Sequence, residues 1–362
     1  MSWAIAGGGT GGHVTLALAL AEEIRARGGT PVLLGTDQGL ERELVPRAGF
    51  ELLTFEARQV MGQSLTARLG ALFGLFRSIL AARRALRSRG VSSVISVGGY
   101  ASVPAVAAAA TLRLPIALVE PNAVPGRANR LMARLAKLVF VGFDAARDRL
   151  PVADERVRSL GIPLRRELVA ALAKPEERKP EPPLRLLVAG GSQGARQLNE
   201  AMMEIAPRLA GGAWSVFHQT GAADRERVAA AYRAAGVDAD VTAFTDDMPR
   251  RYQWADVAVC RAGALTVAEL TLAGLPSLLV PYPFAADDHQ TENARALAEI
   301  GGARVLPSRP LDPQVLAATL AEWLAAPEQL IEMRRALSSR ARPGAAREIV
   351  DTCMEVLGPL HD

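Results

Sequence analysis

Two glycine-rich loops occupy corresponding places in the two halves of this chain. The first, Gly7-Gly-Gly-Thr-Gly-Gly-His13, follows a short apolar run at residues 2–6, and the second, Gly190-Gly-Ser-Gln-Gly194, follows a similar run at 185–189. A helical pattern comes after each loop. Glycine lets backbone N–H groups at the start of a helix approach a phosphate closely. The repeat of strand, glycine loop and helix therefore predicts two α/β halves, each with a phosphate-binding turn.

Length and composition agree with two globular domains. The 362 residues exceed the roughly 100–200 of a typical domain, and 49% of them are apolar. The net charge of +4 comes almost entirely from scattered arginines, because only three lysines occur, so we expect no nucleic-acid partner. Cys260 and Cys353 lack metal-site spacing and favour a reducing cytoplasm. The first residues enter the glycine loop at once, which favours a protein without a signal peptide.

The first glycine loop also permits a different interpretation. Gly7, Gly9 and Gly12 satisfy G-x-G-x-x-G, and Asp37 follows the next apolar run, which is the pattern of a dinucleotide site. An NAD-dependent oxidoreductase therefore stays open as an alternative. His13 at the end of the loop is either a helix cap or a proton acceptor, since the pKa of an ordinary imidazole lies close to neutrality.

The stretch from residue 256 to 281 predicts a strand, a turn, a short helix and a second strand. Residues 256–260 and 276–280 are short apolar runs, and residues 265–273 between them have helical spacing that stops at Gly274. Arg261 adds a positive charge at the turn. Glu269, one turn into the helix, is placed either to bind the hydroxyls of a ribose or to lie on a solvated face.

Residues 57–119 contain no acidic side chain. Within this region Leu72, Phe73 and Phe76 recur at helical spacing and arginines cluster at residues 83–89. The pattern favours either a helix that lies on an anionic membrane surface or an ordinary core helix with solvated arginines. Its longest uncharged piece is far shorter than the roughly 20 residues of a membrane span.

Taken together and in order, the motifs resemble those of the MurG family, peptidoglycan glycosyltransferases with the two-domain GT-B fold. The motifs that carry the resemblance are the two glycine loops, Gly98-Gly-Tyr100, Phe244-Thr-Asp-Asp-Met248, residues 260–281 and Asp288-His-Gln290. The resemblance implies an α/β fold of two Rossmann-like domains whose parallel sheets face each other across a cleft, with the last helix returning to the first domain. It implies an acceptor- and membrane-associated domain at residues 1–162 plus 341–362, and a UDP-sugar domain at 163–340.

The activity that the resemblance implies is an inverting transfer without a cofactor. Because helix N-termini and arginines can stabilise the charge of the departing diphosphate, we expect the transfer to be metal-independent. N-acetylglucosamine would pass from UDP-N-acetylglucosamine to undecaprenyl-diphospho-N-acetylmuramoyl-pentapeptide during peptidoglycan synthesis. The enzyme would work as a peripheral protein on an anionic surface, the cytoplasmic face of the bacterial plasma membrane. A UDP-N-acetylglucosamine 2-epimerase of the same fold is the closest alternative.

The resemblance also implies site residues. His13 is the first candidate for the general base and Glu120 the second. The implied donor site comprises Thr10, Gly11, Gly12, Asn122, Arg165, Gly191, Ser192, Phe244, Thr245, Arg261, Ala264, Leu265, Thr266, Glu269, His289 and Gln290. The implied acceptor-diphosphate site comprises Gly8, Gly9, Thr10, Gly98, Gly99 and Tyr100.

Three positions depart from the family pattern. Val119 stands where relatives have His, Pro121 where they have Gln, and Ile162 where they have Asn. The departures leave open any role that those family side chains play in binding.

Overall fold

The chain folds into two compact units. The computed structural model describes residues 2–55, 65–172, 179–191 and 194–360, with the side chains of all of these except 65–69 and 71. Unit 1 comprises Met1–Arg166 together with Gly344–Asp362, and unit 2 comprises Glu167–Pro343. The sequence-based boundaries, after residues 162 and 340, lie a few residues away from these.

Unit 1 is built on a seven-stranded parallel sheet in the order β3-β2-β1-β4-β5-β6-β7. The central strands are apolar and buried along nearly their whole length, as is usual when helices cover both faces of a parallel sheet. The strands are β1 Ser2–Gly7, β2 Thr30–Thr36, β3 Glu51–Phe55, β4 Val91–Gly98, β5 Ile116–Glu120, β6 Leu138–Val141 and β7 Val157–Ser159.

Helices connect these strands and cover the sheet. They are α1 Gly11–Ala26, α2 Glu41–Arg47, α3 Leu65–Ser88, α4 Ser102–Thr111, α5 Arg127–Ala133 and, from the end of the chain, α14 Ala345–Leu357. The apolar side chains of α14, among them Ile349 and Cys353, are buried where this helix packs on α1. Among the described residues, no helix has the length and the apolar character needed to cross a bilayer.

Unit 2 repeats the scheme with a six-stranded parallel sheet in the order β10-β9-β8-β11-β12-β13. Its strands are β8 Leu184–Ala189, β9 Trp214–Gln219, β10 Asp238–Thr242, β11 Val257–Cys260, β12 Ser277–Leu279 and β13 Ala303–Val305. Its helices are α6 Arg166–Leu172, which begins at the boundary, α7 Arg196–Leu209, α8 Arg225–Ala235, α9 Met248–Trp254, α10 Ala264–Ala273, α11 His289–Glu299, α12 Pro313–Ala325 and α13 Glu328–Ser338.

Each sheet contains one point where the strand order reverses, between β1 and β4 in unit 1 and between β8 and β11 in unit 2. Ligands of open α/β sheets bind outside the carboxyl ends of the strands at such a point. The first glycine loop follows β1 and the Gly98-Gly-Tyr100 turn follows β4. The second glycine loop follows β8, and the turn at Arg261 follows β11. The topology therefore brings the predicted motifs together in pairs.

The predicted α/β class, with two parallel sheets and a last helix that returns to the first unit, is confirmed. Three short strands escaped the sequence analysis, namely β3, β7 and β13. Strand β10, Asp238–Thr242, lies at the edge of its sheet. Its alternating polar residues concealed it because an edge strand with exposed positions carries only a weak apolar signal.

Candidate active site

In unit 1, the first glycine loop and the turn after β4 pack directly on each other. A Cβ atom at Gly99 would lie 2.6 Å from the carbonyl oxygen of Gly8 and 3.4 Å from Nδ1 of His13. A Cβ atom at Gly9, where φ is +84°, would lie 2.5 Å from Cε1 of Tyr100. Glycine is therefore required for this close approach. The predicted acceptor residues do form one cluster.

His13 lies in the first turn of α1 and is half-buried. The hydroxyl of Thr10, the N-cap residue, accepts a long hydrogen bond of 3.4 Å from the His13 backbone N–H, and its oxygen lies 2.8 Å from Nδ1 of the ring. The Thr10 contact fixes the ring through Nδ1 and orients Nε2, the nitrogen that a general base would use.

Glu120, the second candidate base, is almost completely buried at the end of β5. One carboxylate oxygen accepts the backbone and side-chain N–H groups of Asn122 at 2.9 and 3.2 Å. The other accepts the N–H groups of Gly126 and the Asn129 side chain, both at 2.9 Å. Burial raises the pKa of Glu120, and the four hydrogen bonds act in the opposite direction. The carboxylate thus organises the loop that follows β5.

Asn129 belongs to the same cluster, although the sequence analysis did not single it out. Its amide N–H₂ donates to the Val119 carbonyl at 3.2 Å and to Glu120, which fixes the identity of its oxygen. Within the described part of the chain that buried oxygen has no hydrogen-bond partner. A Cβ atom at Gly98 would lie 3.3 Å from this oxygen and 3.3 Å from His13 Nε2.

The three departures from the family pattern are buried. Val119 is inaccessible to solvent within β5, and Pro121 follows the strand. Ile162 fills space beside Gly142, where a Cβ atom would lie 2.5 Å from Ile162 Cγ1. All three positions are therefore occupied by packing side chains.

Arg165 makes an ion pair inside unit 1. Its Nε and one terminal nitrogen donate to the same carboxylate oxygen of Glu22, at 2.9 and 2.7 Å, and the backbone N–H of Arg166 donates to the other oxygen. This pair anchors the end of the first segment of unit 1, near Arg166, to α1. Three of the five guanidinium N–H groups of Arg165 lie outside this pair.

In unit 2, the second glycine loop lies against the turn after β9. Gly191 has φ of +86°, and its carbonyl accepts hydrogen bonds from the Gly194 N–H at 2.9 Å and from the Gln219 side chain at 3.2 Å. A Cβ atom at Gly194 would overlap the Thr220 carbonyl. Ser192, predicted as part of the donor site, lies outside the described residues.

A buried polar network that no sequence motif indicates supports this turn. The Tyr232 hydroxyl lies 3.0 Å from His218 Nδ1, and His218 Nε2 lies 3.1 Å from the side-chain oxygen of Asn199. The Asn199 amide donates to the Thr220 carbonyl and to Asp224, both at 2.9 Å. Since Asn199 offers its oxygen to Nε2, that nitrogen carries the proton and Nδ1 accepts from tyrosine. Burial lowers the pKa of His218 to about 3, so the ring is neutral.

The turn after β11 is tied to the loop after β12. Arg261 is half-buried, and it donates to the carbonyls of Val280 and Pro281, each at 3.1 Å. The side-chain oxygen of Gln290 accepts the N–H groups of Ala262 at 3.3 Å and Tyr282 at 2.9 Å. These contacts leave the Gln290 amide N–H₂ as the part of this side chain suited to a sugar hydroxyl.

Further predicted residues lie in the first turns of α10 and α11. Ala264, Leu265 and Thr266 form its first turn, where backbone N–H groups have no partner in the preceding turn. His289, in the first turn of α11, places Nδ1 2.7 Å from the Ala286 carbonyl. That carbonyl requires a proton on Nδ1, so Nε2 is the acceptor nitrogen when the ring is neutral.

Glu269 lies deeper in α10 and receives a 2.7 Å hydrogen bond from the Tyr252 hydroxyl of α9. Burial raises the pKa of Glu269 to about 7, and the bond from Tyr252 partly opposes this shift.

Phe244, beyond β10, is 54% exposed, and the hydroxyl of Thr245 accepts the Asp247 N–H at 3.2 Å. An exposed aromatic ring, a carboxyl group and a helix N-terminus thus lie in one unit. No sequence motif indicates that Tyr252 is the partner of Glu269.

The chain is similar to known glycosyltransferases over both units. Residues 3–141 match the glycosyltransferase family 28 N-terminal domain, and residues 185–349 match the C-terminal domain of that family. The chain is 45% identical to the UDP-N-acetylglucosamine--N-acetylmuramyl-(pentapeptide) pyrophosphoryl-undecaprenol N-acetylglucosamine transferase of Anaeromyxobacter dehalogenans, covering 99% of this chain and 93% of that protein. It is also 45% identical to the protein of that name from Pseudomonas fluorescens, covering 97% and 98%.

Solved structures show the same relationship. The crystal structure of Acinetobacter baumannii MurG matches with a TM-score of 0.81 at 30% identity, covering 98% of this chain and 99% of that one. A UDP-N-acetylglucosamine 2-epimerase from Neisseria meningitidis shares the fold, with a TM-score of 0.70 at 14% identity and coverage of 98% and 100%. The chain therefore belongs to glycosyltransferase family 28 and, within it, to the MurG family.

Proposed function

We propose that this protein transfers N-acetylglucosamine from UDP-N-acetylglucosamine to undecaprenyl-diphospho-N-acetylmuramoyl-pentapeptide. The observation that carries the proposal is the 45% identity, over nearly the whole chain, to proteins named for this reaction. The same fold in a 2-epimerase, at 14% identity, supports the architecture alone.

Unit 2 supplies most of the donor site in this proposal. Uracil stacks near Phe244 and Thr245, the ribose hydroxyls bind Glu269, and the sugar lies against His289 and Gln290. The diphosphate binds at Gly191, Ser192, Arg261 and the first turn of α10, where a helix N-terminus favours an anion.

Unit 1 supplies the acceptor site and the remaining donor contacts. The acceptor diphosphate binds at the cluster formed by the first glycine loop and the turn after β4, at Gly8, Gly9, Thr10, Gly98, Gly99 and Tyr100. Thr10, Gly11, Gly12, Asn122 and Arg165 complete the donor site. Because two N–H groups of Arg165 are engaged by Glu22, the donor phosphates would use the other three.

The reaction is a single in-line displacement. The acceptor hydroxyl forms a bond to the anomeric carbon while the bond from that carbon to the UDP oxygen breaks, and UDP leaves with the electron pair. His13 takes the hydroxyl proton, because Nδ1 is held by Thr10 and Nε2 lies beside the turn after β4. Glu120 is the weaker candidate because four N–H groups already occupy its oxygens.

Charge on the departing diphosphate is stabilised by the α10 N-terminus and Arg261 instead of a metal ion. The Asp-x-Asp sequence of the chain, Asp238-Ala-Asp240, is engaged elsewhere. Asp238 accepts a 2.8 Å hydrogen bond from the Ser215 hydroxyl, and Asp240 pairs with Arg251 at 3.3 Å.

The proposal includes a membrane surface on α3. Leu72, Phe73 and Phe76 are 62%, 64% and 57% exposed, whereas Ala82 and Leu86 on the same helix are buried in the core. Arg77, Arg84 and Arg87 are exposed on the helix as well. Exposed apolar side chains beside arginines suit the anionic cytoplasmic face of a plasma membrane, where the lipid acceptor resides.

A transfer assay tests the proposed function. The purified protein, supplied with radiolabelled UDP-N-acetylglucosamine and the lipid-linked muramoyl peptide in detergent, should release one UDP per sugar transferred to lipid, with EDTA making no difference. Formation of UDP-N-acetylmannosamine without acceptor would identify an epimerase. Thermal stabilisation by NAD, without stabilisation by UDP-N-acetylglucosamine, would favour an oxidoreductase.

A further inference from the structure

A buried carboxylate lies directly beneath the first glycine loop. Glu41 is the first residue of α2, and only 1% of it is exposed. One of its oxygens accepts the backbone N–H and the hydroxyl of Thr36, at 2.9 and 2.7 Å. Its other oxygen accepts the backbone N–H of Gly9 at 3.2 Å. The side chain thus joins the end of β2 to the glycine loop.

Three glycines make room for this carboxylate. A Cβ atom at Gly8 or at Gly39 would overlap its oxygens, and a Cβ atom at Gly35 would lie 2.7 Å from Cγ of Glu41. The three glycines come from the loop, from β2 and from the turn before α2. A site enclosed by glycines of three different segments is a specific feature of the unit 1 fold.

The carboxylate carries its charge in the folded protein. Burial acts to raise the pKa of Glu41, but the hydrogen bonds from Thr36 and Gly9 outweigh burial and leave the pKa below its usual range. A negative charge therefore lies under the loop that, in the proposed function, faces the acceptor diphosphate. Such a charge repels an anion and also occupies an N–H group that could have bound one.

We propose that Glu41 is a positioning residue for the lipid acceptor. By holding the Gly9 N–H, it keeps that group out of the phosphate site and fixes the loop against Tyr100. The diphosphate is thereby directed to the N–H groups of Thr10, at the positive N-terminus of α1, and of the turn after β4, while Gly9 lines the acceptor site without donating to it. This inference rests on the assignment of the first loop to the acceptor.

Glu41→Gln is the first test because it changes one contact. The amide oxygen can keep both bonds from Thr36, and the amide N–H₂ then meets the Gly9 N–H as a second donor. We expect the KM for the lipid acceptor to rise about tenfold or more and the KM for UDP-N-acetylglucosamine to stay within about twofold. Glu43→Gln is the matched control, since Glu43 lies on the same helix and is exposed.

Gly39→Ala tests the same contact without altering Glu41. The new methyl group displaces the carboxylate from its enclosure, so this variant should reproduce the change in acceptor KM. Circular dichroism and thermal unfolding establish that each variant is folded before kinetics are measured.

Three results would overturn the inference. The acceptor KM could be unchanged in both variants, both KM values could rise equally, or Glu41→Gln could lower the acceptor KM because the freed Gly9 N–H binds phosphate. Failure of the proposed function looks different, since the wild-type protein would then transfer no sugar to the lipid.

Discussion

In the proposed donor site, the carboxyl group of Glu269 binds the ribose and titrates near neutral pH. Its pKa is raised to about 7 by burial, while the pKa of its partner Tyr252 is raised well above the usual value, also chiefly by burial, so the phenol stays a donor. Only the ionised carboxylate can accept hydrogen bonds from ribose hydroxyls at both oxygens. Near neutral pH, Glu269 therefore exists in both forms.

Donor affinity should consequently rise with pH. We expect UDP-N-acetylglucosamine to bind more weakly at pH 6 than at pH 8, by about tenfold for a pKa of 7, because the carboxyl is mostly protonated at the lower pH. The sugar nucleotide is the right probe because its diphosphate diester does not titrate in this range. Calorimetry measures the effect, and Glu269→Gln should remove it. A pH dependence that survives in that variant would assign it to another group.

His13 permits a separate test of the chemical step. If Nε2 of His13 takes the proton, His13→Gln should lower kcat by about 10²–10⁴-fold with little change in UDP affinity. Thr10→Val is an informative companion, since it removes the oxygen that holds Nδ1 and leaves the imidazole in place. Wild-type turnover in His13→Gln would exclude the histidine as the base.

At this scale the sequence revealed some partners and concealed others. His13 stands at the end of a recognisable loop, so its place beside the backbone of that glycine loop was predictable. Glu41 and Gly9 are 32 positions apart, and Tyr252 and Glu269 are 17 apart. These pairs meet only because of the order of strands and the packing of helices, which no local pattern encodes.

At the scale of elements, α3 is the helix whose environment the sequence left open. Its apolar residues were equally compatible with core and with membrane, and the structure buries some of them and leaves others exposed. Ser78, Ala82 and Leu86 face the interior, and Phe73 and Phe76 lie exposed. The sequence pattern did not reveal this division because apolar residues and arginines are imperfectly segregated on the helix.

Replacing the two exposed phenylalanines should weaken membrane association. We expect Phe73→Ser with Phe76→Ser to lower binding to phosphatidylglycerol vesicles by about tenfold or more, because each ring buries apolar area in the lipid. Vesicle sedimentation measures the binding. Val356→Ser on α14, which is 43% exposed, is the control. Equal vesicle binding by the double variant and the control would contradict a membrane surface on α3.

The strand order is the element-level property that sequence analysis could not supply. Each glycine loop was visible, but nothing local showed that β1 lies beside β4 or that β8 lies beside β11. Those two adjacencies bring Gly98-Gly-Tyr100 to the first loop and Arg261 to the second. Short strands at sheet edges, such as β10 and β13, were hard to place because few of their residues are buried.

On the scale of the whole molecule, the duplication of strand, glycine loop and helix predicted two similar halves, and the structure has two units. Each unit carries its own buried sheet and its own point of strand reversal. In the proposed function, the two different sets of side chains at those points divide the chemistry between acceptor and donor. The resemblance to a known family supplied what the fold alone does not, namely the identity of the substrates.

The last helix of unit 1 has a consequence for biosynthesis. Because α14 packs on α1 but follows Glu167–Pro343 in the chain, unit 1 lacks this helix while the ribosome is still making unit 2. All of unit 2 emerges as one continuous segment and can fold as soon as it is released from the exit tunnel. Most of unit 1 is therefore synthesised first, yet unit 1 is the last to finish folding. Until α14 is made, the apolar surface of α1 is open to chaperones.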